Sequence, residues 1–587
     1  MPARFNLGLV MAGAVSAGAY TGGAIDFLLQ ALEAWYKAKG RGDPNAPPHE
    51  VTLKIATGAS AGGMTAAMLA TVLREEVPPI TAAATDADRR GNKFYDAWVR
   101  KVSIDKLLGS GDLDGNDKPV QSLLDSTVLQ GIADAVITPG IPGPPRPYVA
   151  DPFLVAVTLT NLRGVPYSVD FQGLAGKRMP YTMRLHADQM SFSVGLPIVE
   201  LELEALGFTP PSKAMPLDPT RVGEGHWKTL ADAALATGAF PFGLAPRTLS
   251  QSASNYNDRL WYHPYARDQH GSKQYGFYAP LDAAMGVPAA FRYEFTCVDG
   301  GTIDNEPMGL AREFLGWNNG EAFQSPSAIV LVDPFPNQEK FETEYDFPVQ
   351  FNLFKMVPTL LGALINQARF KPEELTRAID PTIFNQFMLA PVRRVDGQPM
   401  PEDGRPLACG GLGGFAGFLS EDFRAHDFQL GRVNAQSFLL RHFVLPEDDP
   451  LFAEWTSDMR NEHRIRRDRF NRVIDDAHDT VKDETGNRVA AVPPISSFLP
   501  IIPLTGEAVR ERERAPVWPK YGLDQLIDLR EMAEKRAKIV VERLIEKMDG
   551  AVTKFLLRRV WWLKRGEWLN QIEERIRADL RAGGLMQ

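Results

Sequence analysis

The chain has almost no cysteine. Two in 587 residues, Cys297 and Cys409, exclude a disulfide framework and any cysteine-based zinc site. It also lacks net positive charge: the formal balance is −9 at pH 7, so no global field draws in a phosphate backbone, and no nucleic-acid partner is expected. No uninterrupted run of about 20 apolar residues occurs, so no segment reads as a membrane span. Histidine is sparse at nine residues, and none has neighbours suited to a metal site or to the base of a triad. His426, beside Asp427, reads as a helical surface position. No metal and no cofactor are expected.

What remains is an ordinary globular composition, 44% hydrophobic and 23% charged, in a chain too long for one compact core. The opening stretch, MPARFNLGLVMAGAVSAGAY, has the look of a secretory signal. Against that, it has one arginine before an apolar stretch broken by Asn6 and Gly8. Secretion is not expected; a cytoplasmic location is, with peripheral membrane contact as an option.

Strand and helix patterns alternate. FNLGLVMA (5–12) and VTLKIAT (51–57) read as buried strands. Between them, Ile25, Leu28, Leu29, Leu32 and Trp35 recur at helical spacing. DPFLVAVTLTNL (151–162), YEFTCVD (293–299) and SAIVLVDP (327–334) are further β-rich runs. Such alternation predicts an α/β fold with a mostly parallel central sheet covered on both faces. TPGIPGPPRP (138–147) cannot be regular structure, because proline removes donors and fixes φ. Residues 250–280 are polar yet rich in Tyr and Trp, and read as an ordered insertion loop, with a lid over an apolar substrate as the sharper alternative.

The run LKIATGASAGGMTAAMLATVL carries a serine between glycines at a strand-to-helix turn. A turn this tight needs small residues two before and two after the serine, here Gly58 and Gly62. It exposes the Ser60 hydroxyl at the edge of the sheet and at a helix N-terminus, which favours negative charge. Ser60 thus reads as a nucleophile. Its base is sought in TCVDGGTIDNEP, where Asp299 follows a β-rich run and Gly300 and Gly301 allow a sharp turn behind it. An α/β-hydrolase order would admit His426 as base, but that fold needs more strands before its serine than this chain has. Cys297, two residues before Asp299, reads as an inert buried thiol.

This combination resembles the patatin-like phospholipase family, whose serine lies in G-x-S-x-G, here Gly58 to Gly62, and whose aspartate lies in D-G-G, here Asp299 to Gly301. GAYTGGAIDFLLQALE resembles the helix that follows the family's first strand, ALATGAFPFGLAP (234–246) its Ala/Ser-rich segment ending in a proline turn, and VTLTNLRG (157–164) the strand between them; the resemblance covers roughly residues 5–335. It implies a three-layer α/β/α domain, a catalytic Ser60–Asp299 dyad without histidine, and lipid acyl esters such as phospholipids as substrates. It also implies an oxyanion hole built by the backbone of Gly13, Ala14 and Val15. Here the sequence departs from the family's usual G-G-G-x-R-G: GAVSAG places Ala14 and Val15 where glycines are common and Ala17 where arginine stands. Valine is a costly residue if the loop demands positive φ. Two other readings accompany this one: an esterase or thioesterase for soluble acyl substrates, and a catalytically weak, membrane-peripheral scaffold.

The expected organisation is a catalytic domain at 1–345, a mixed, mainly helical extension at 346–485, a proline-rich connection at 486–522 and a helical pair at 523–587. FRAHDFQLGRVNAQSFLLRHF in the extension reads as an amphipathic element packing on the catalytic domain. In the last helix Val552, Phe555, Leu556, Val560 and Leu563 share one face, with Lys554, Arg558 and Arg565 opposite and Trp561, Trp562 and Trp568 interspersed. Such a helix can lie in a membrane interface. Arg559, within the apolar face, favours docking on the body of the protein instead. Oligomeric state is not legible.

Overall fold

The computed structural model describes residues 2–115, 118–172, 178–195, 214–256, 259–267, 273–280, 285–288, 290–315, 326–336, 385–395, 398–400, 404–475, 480–482, 487–506 and 511–586, with isolated positions at 356, 360, 362, 363, 478 and 509. Much of the expected extension before residue 385 lies outside the described residues.

A nine-stranded mixed sheet organises the chain. Its strands are β1 (Arg4–Met11), β2 (Glu50–Gly58), β3 (Val149–Gln172), β4 (Arg178–Val194), β5 (Met215–Leu217), β6 (Arg247–Ser252), β9 (Arg292–Asp299), β10 (Ser327–Val332) and β11 (Gln386–Leu389). The run β11-β10-β1-β2-β3 is parallel. At β3 the sheet turns mixed, because β3 pairs antiparallel with both β4 and β9, and β9 with β6. The described residues of 250–280 are not a loop: after β6, β7 (Leu260–Arg267) pairs antiparallel with β8 (Lys273–Pro280). The aromatic content that looked anomalous for a loop is ordinary for strands.

The central parallel strands β1 and β10 are buried on both faces, as their continuous apolar runs require. Leu7, Leu9 and Met11 of β1 face the main core with helices α1 (Gly18–Gly40) and α2 (Ser60–Val72). Val10, with Ile329 and Leu331 of β10, faces the other way onto Met308 and Ala311 of α5 (Met308–Phe314). Helices α3 (Thr127–Ile137) and α4 (His226–Thr237) pack beside α2, and the three line an apolar cavity. The protein is thus an α/β fold with a mostly parallel central sheet flanked by helices.

The amphipathic element becomes α6 (Glu421–Arg441), laid against α1. Gly23 and Gly431 make the approach possible: a Cβ on either would collide with the Phe428 or Tyr20 carbonyl of the facing helix. Arg432, fully buried, ties α6 to Asp26 of α1 and to Glu513. His426 is buried rather than on the surface: its Nδ1 pairs with Asp427 Oδ1 at 2.7 Å and its ring sits edge-on to Trp518. Residues 486–522 do more than connect. Ser496–Pro500 pairs with Val444–Pro446 and Ile465–Arg467, and Leu499, Ile501 and Ile502 are fully buried.

Helices α7 (Leu523–Glu546) and α8 (Ala551–Ala582) form a hairpin. Arg536 anchors α7, reaching Asp112 and the carbonyls of Gly109, Ser122 and Leu123. Only the far half of α8 docks, burying Leu569 and Leu580. In the first half Val552, Phe555, Leu556, Val560, Trp562 and Leu563 are exposed, contrary to a fully docked helix. Among the described residues no helix is long and apolar enough to cross a membrane.

Candidate active site

Strand register gathers the sequence candidates at one edge. Met11 pairs with Gly58, Gly58 with Val157, and Leu159 with Asp299. The loops after β1 and β2 and the end of β9 therefore meet at the carboxyl edge of the parallel strands, where α/β sheets present ligand-binding groups.

Ser60 opens α2 with φ of +49°, the strained left-handed region, unusual for serine. Glycine is needed beside it. A Cβ on Gly62 would strike the Met11 carbonyl, and one on Gly58 the Gly62 backbone. The Ser60 N–H donates to Thr237 Oγ1 at 2.9 Å, which fixes the turn from outside. The hydroxyl donates to Asp299 Oδ2 at 2.6 Å.

Asp299 is held on three sides. Its N–H donates to the Ala239 carbonyl at 2.9 Å, its carbonyl accepts from Thr160 Oγ1 at 2.8 Å, and its Oδ1 accepts the Gly301 N–H at 2.7 Å. Gly300 lies so close to the Thr158 carbonyl that no side chain fits. Burial pushes the Asp299 carboxyl up to about 7, against the lowering effect of the Ser60 and Gly301 hydrogen bonds. Desolvation dominates because the carboxylate form loses its water without gaining a cation. Burial likewise pushes the Cys297 thiol up to about 12, so it carries no thiolate near neutrality.

The loop after β1 differs from expectation at one donor. The Gly13 N–H already donates to the Asn305 carbonyl at 3.2 Å, so it is engaged within the fold rather than left free as the oxyanion donor expected. Gly13 instead provides clearance: a Cβ there would collide with Asn305 Oδ1. Ala14 and Val15 remain as candidate donors, joined by Ala61, whose N–H lies in the first turn of α2 where no helical carbonyl precedes it. Val15 has φ of +48°, the conformation that makes a valine costly, by about 1–3 kcal/mol.

Thr237 and Asn305 were missed by sequence reasoning. Both stand inside motifs already singled out, yet nothing local indicates that one would cap the Ser60 turn and the other would buttress Gly13 and Gly301. Among the described residues no group of three or more His, Cys, Asp or Glu is arranged to hold a metal ion.

No family model matches the chain. A protein of Sinorhizobium fredii, the uncharacterized protein y4iI, is 32% identical over 578 residues, covering 92% of this chain and 76% of that protein. The chain belongs to the family that y4iI represents. Among solved structures, VipD from Legionella pneumophila is similar at 13% identity with a TM-score of 0.20, over 99% of this chain and 88% of that one, a likeness too slight to carry an argument.

Proposed function

We propose that the protein is a serine-dependent lipid acyl hydrolase of the patatin-like kind, acting through a Ser60–Asp299 dyad. The observation that carries this reading is the 2.6 Å hydrogen bond from Ser60 Oγ to a buried carboxylate. A free aspartate is a weaker base than histidine by about 2.6 pKa units, or about 3.5 kcal/mol. Raised to about 7, Asp299 recovers that deficit without a histidine.

In the first step Asp299 takes the hydroxyl proton as Ser60 Oγ attacks the ester carbonyl. The new C–O bond pushes the carbonyl electron pair onto oxygen, where the N–H groups of Ala14, Val15 and Ala61 receive it. Collapse expels the alcohol, which takes the proton from Asp299. Water, deprotonated by the same carboxylate, then releases the acid and restores Ser60.

A lipid substrate is supported by the apolar cavity, whose walls include Met64, Met68, Trp98, Leu129 and Leu235. Met64 stands one turn beyond Ser60 on α2, so the cavity begins beside the nucleophile, and its two methionines can yield to an acyl chain. The exposed half of α8 supports action at a lipid surface. Between residues 551 and 568 it carries Lys554, Arg558, Arg559, Lys564 and Arg565 against the single carboxylate Glu567, in a chain of net charge −9. Cations beside exposed tryptophan and aliphatic side chains match an anionic interface.

Reaction with a fluorophosphonate probe tests the dyad. Labelling is expected at Ser60, lost in Ser60→Ala and reduced at least about a hundred-fold in Asp299→Asn. Folded wild-type protein that fails to label would reject the hydrolase and favour the scaffold. Hydrolysis of p-nitrophenyl butyrate without hydrolysis of phospholipid vesicles would favour a soluble-substrate esterase. Sedimentation with phosphatidylglycerol vesicles, abolished by Phe555→Glu with Trp562→Glu, tests the surface. Self-association of the wild type, lost in the same variant, would reassign that face to a second copy.

A further inference from the structure

Ser16, next to Val15, is completely buried, and its partners lie in the other half of the chain. Its hydroxyl donates to the Gly414 carbonyl and accepts the Gly417 N–H at 3.1 Å. Both partners belong to a second glycine-rich stretch, LACGGLGGFAGFL, residues 407–419. Neither glycine could carry a side chain easily: a Cβ on Gly417 would collide with Ser16 and with Cys409 Sγ, and one on Gly414 would press on Val15.

This stretch is itself strained and externally held. Leu412, Gly413 and Gly414 follow one another at φ of 53°, 66° and 91°. A leucine in that region persists only where its surroundings dictate it. The surroundings here are Asp579 of α8. Its carboxylate accepts the Leu412 N–H at 3.1 Å and both Nη groups of Arg405, at 2.8 and 2.9 Å. Gly411 leaves room for the carboxylate, which a Cβ would displace. On the opposite side Asp427 accepts the Ala408 and Cys409 N–H groups at 2.9 and 2.8 Å, and Arg424 donates to the Gly417 carbonyl at 2.6 Å. Phe415 sets its ring against Phe240 with centroids 5.2 Å apart, and Phe240 follows Ala239, whose carbonyl holds the Asp299 N–H. The stretch thus meets both arms of the site without contributing to the chemistry.

We infer that residues 405–417 are a positioning loop for the oxyanion donors and that Asp579 is its anchor. The path runs from Asp579 to Leu412, then through Gly414 to Ser16 and the Ala14–Val15 turn. The inference rests on the serine-hydrolase reading. Asp579 and Ser16 act through other residues, so they set the geometry of the hole rather than touch substrate, and their removal acts on the transition state more than on binding.

The test uses the full chain, with p-nitrophenyl butyrate kinetics and the rate of fluorophosphonate labelling. Asp579→Ala is expected to lower kcat by about ten-fold or more with KM within about two-fold, since the lost quantity is an aligned donor. Labelling should slow in parallel, because the phosphonyl oxygen needs the same donors. Ser16→Ala should fall comparably, and the double variant little further than either single one, because both cut one path. Asp579→Asn, which keeps an acceptor for Leu412 while losing the charge pairing with Arg405, should fall between and stands in if the alanine variant does not fold. Asp579 variants with kcat within about two-fold of wild type, or effects of Ser16 and Asp579 that simply multiply, overturn the inference while leaving the hydrolase standing. A wild type that labels nowhere at Ser60 overturns both.

Discussion

Replacing Asp299 by asparagine should silence the dyad and make the protein more stable, by an amount that grows with pH. The carboxyl titrates at about 7 in the folded chain, against an ordinary value of 3.8. A difference of about 3 pH units, at about 1.4 kcal/mol each, comes to about 4 kcal/mol. Its sign follows from which state holds the proton. Above pH 4 the unfolded chain gives up its proton while the folded chain still keeps one, so the wild type loses stability as pH rises, until the folded carboxyl has also ionised near pH 7. Asparagine carries no charge, yet it can donate to Ser60 Oγ and accept the Gly301 N–H, replacing both bonds of the carboxylate. The variant's advantage should therefore be under about 2 kcal/mol at pH 5 and about 4 kcal/mol at pH 8. The change in that gap is what counts, since any fixed cost of the amide's shape cancels. Urea titrations at pH 5, 6, 7 and 8 supply it, read by thiol labelling of Cys297, which is fully buried on the same strand and identified by mass spectrometry. A gap that is constant across this range, or that narrows as pH rises, would refute the reasoning that burial raises Asp299.

Three further outcomes are expected. The kcat/KM for a soluble ester should rise with pH through about 7 and then level off, because Asp299 must be ionised to accept the proton; a profile flat between pH 5 and 8 would count against it. Gly131→Ala, at an exposed position of α3 where an added Cβ meets nothing within 4 Å, should raise stability by about 0.5–1 kcal/mol in denaturant titration. Arg432→Ala, which strips Asp26 and Glu513 of a fully buried cation, should cost about 3–5 kcal/mol by the same method; a loss under about 1 kcal/mol would mean the pair contributes little.

The parts of the site that the sequence exposed are local in origin. The strand–turn–helix around Ser60 was legible because only small residues tolerate that turn, and Gly58 and Gly62 mark it. The same holds for the turn behind Asp299. His426 was misread because a lone helical histidine gives no sign of its neighbours. The pair β7 and β8 was misread because polar strands look like loops when their partners are unseen. His426 is buried by a segment remote in the chain, against Trp518, whereas β7 and β8 pair with each other, which their polar sequence does not announce.

By itself, then, the sequence determined where the backbone must bend and which side chains stand at those bends. Tertiary structure alone decided that Asp299 meets Ser60 across 239 residues, that burial lifts its carboxyl to about 7, and that Ser16 is held by a loop 398 residues further on. The division is physical. Backbone geometry depends on a residue and its neighbours, whereas desolvation and long-range hydrogen bonds exist only once distant segments have packed.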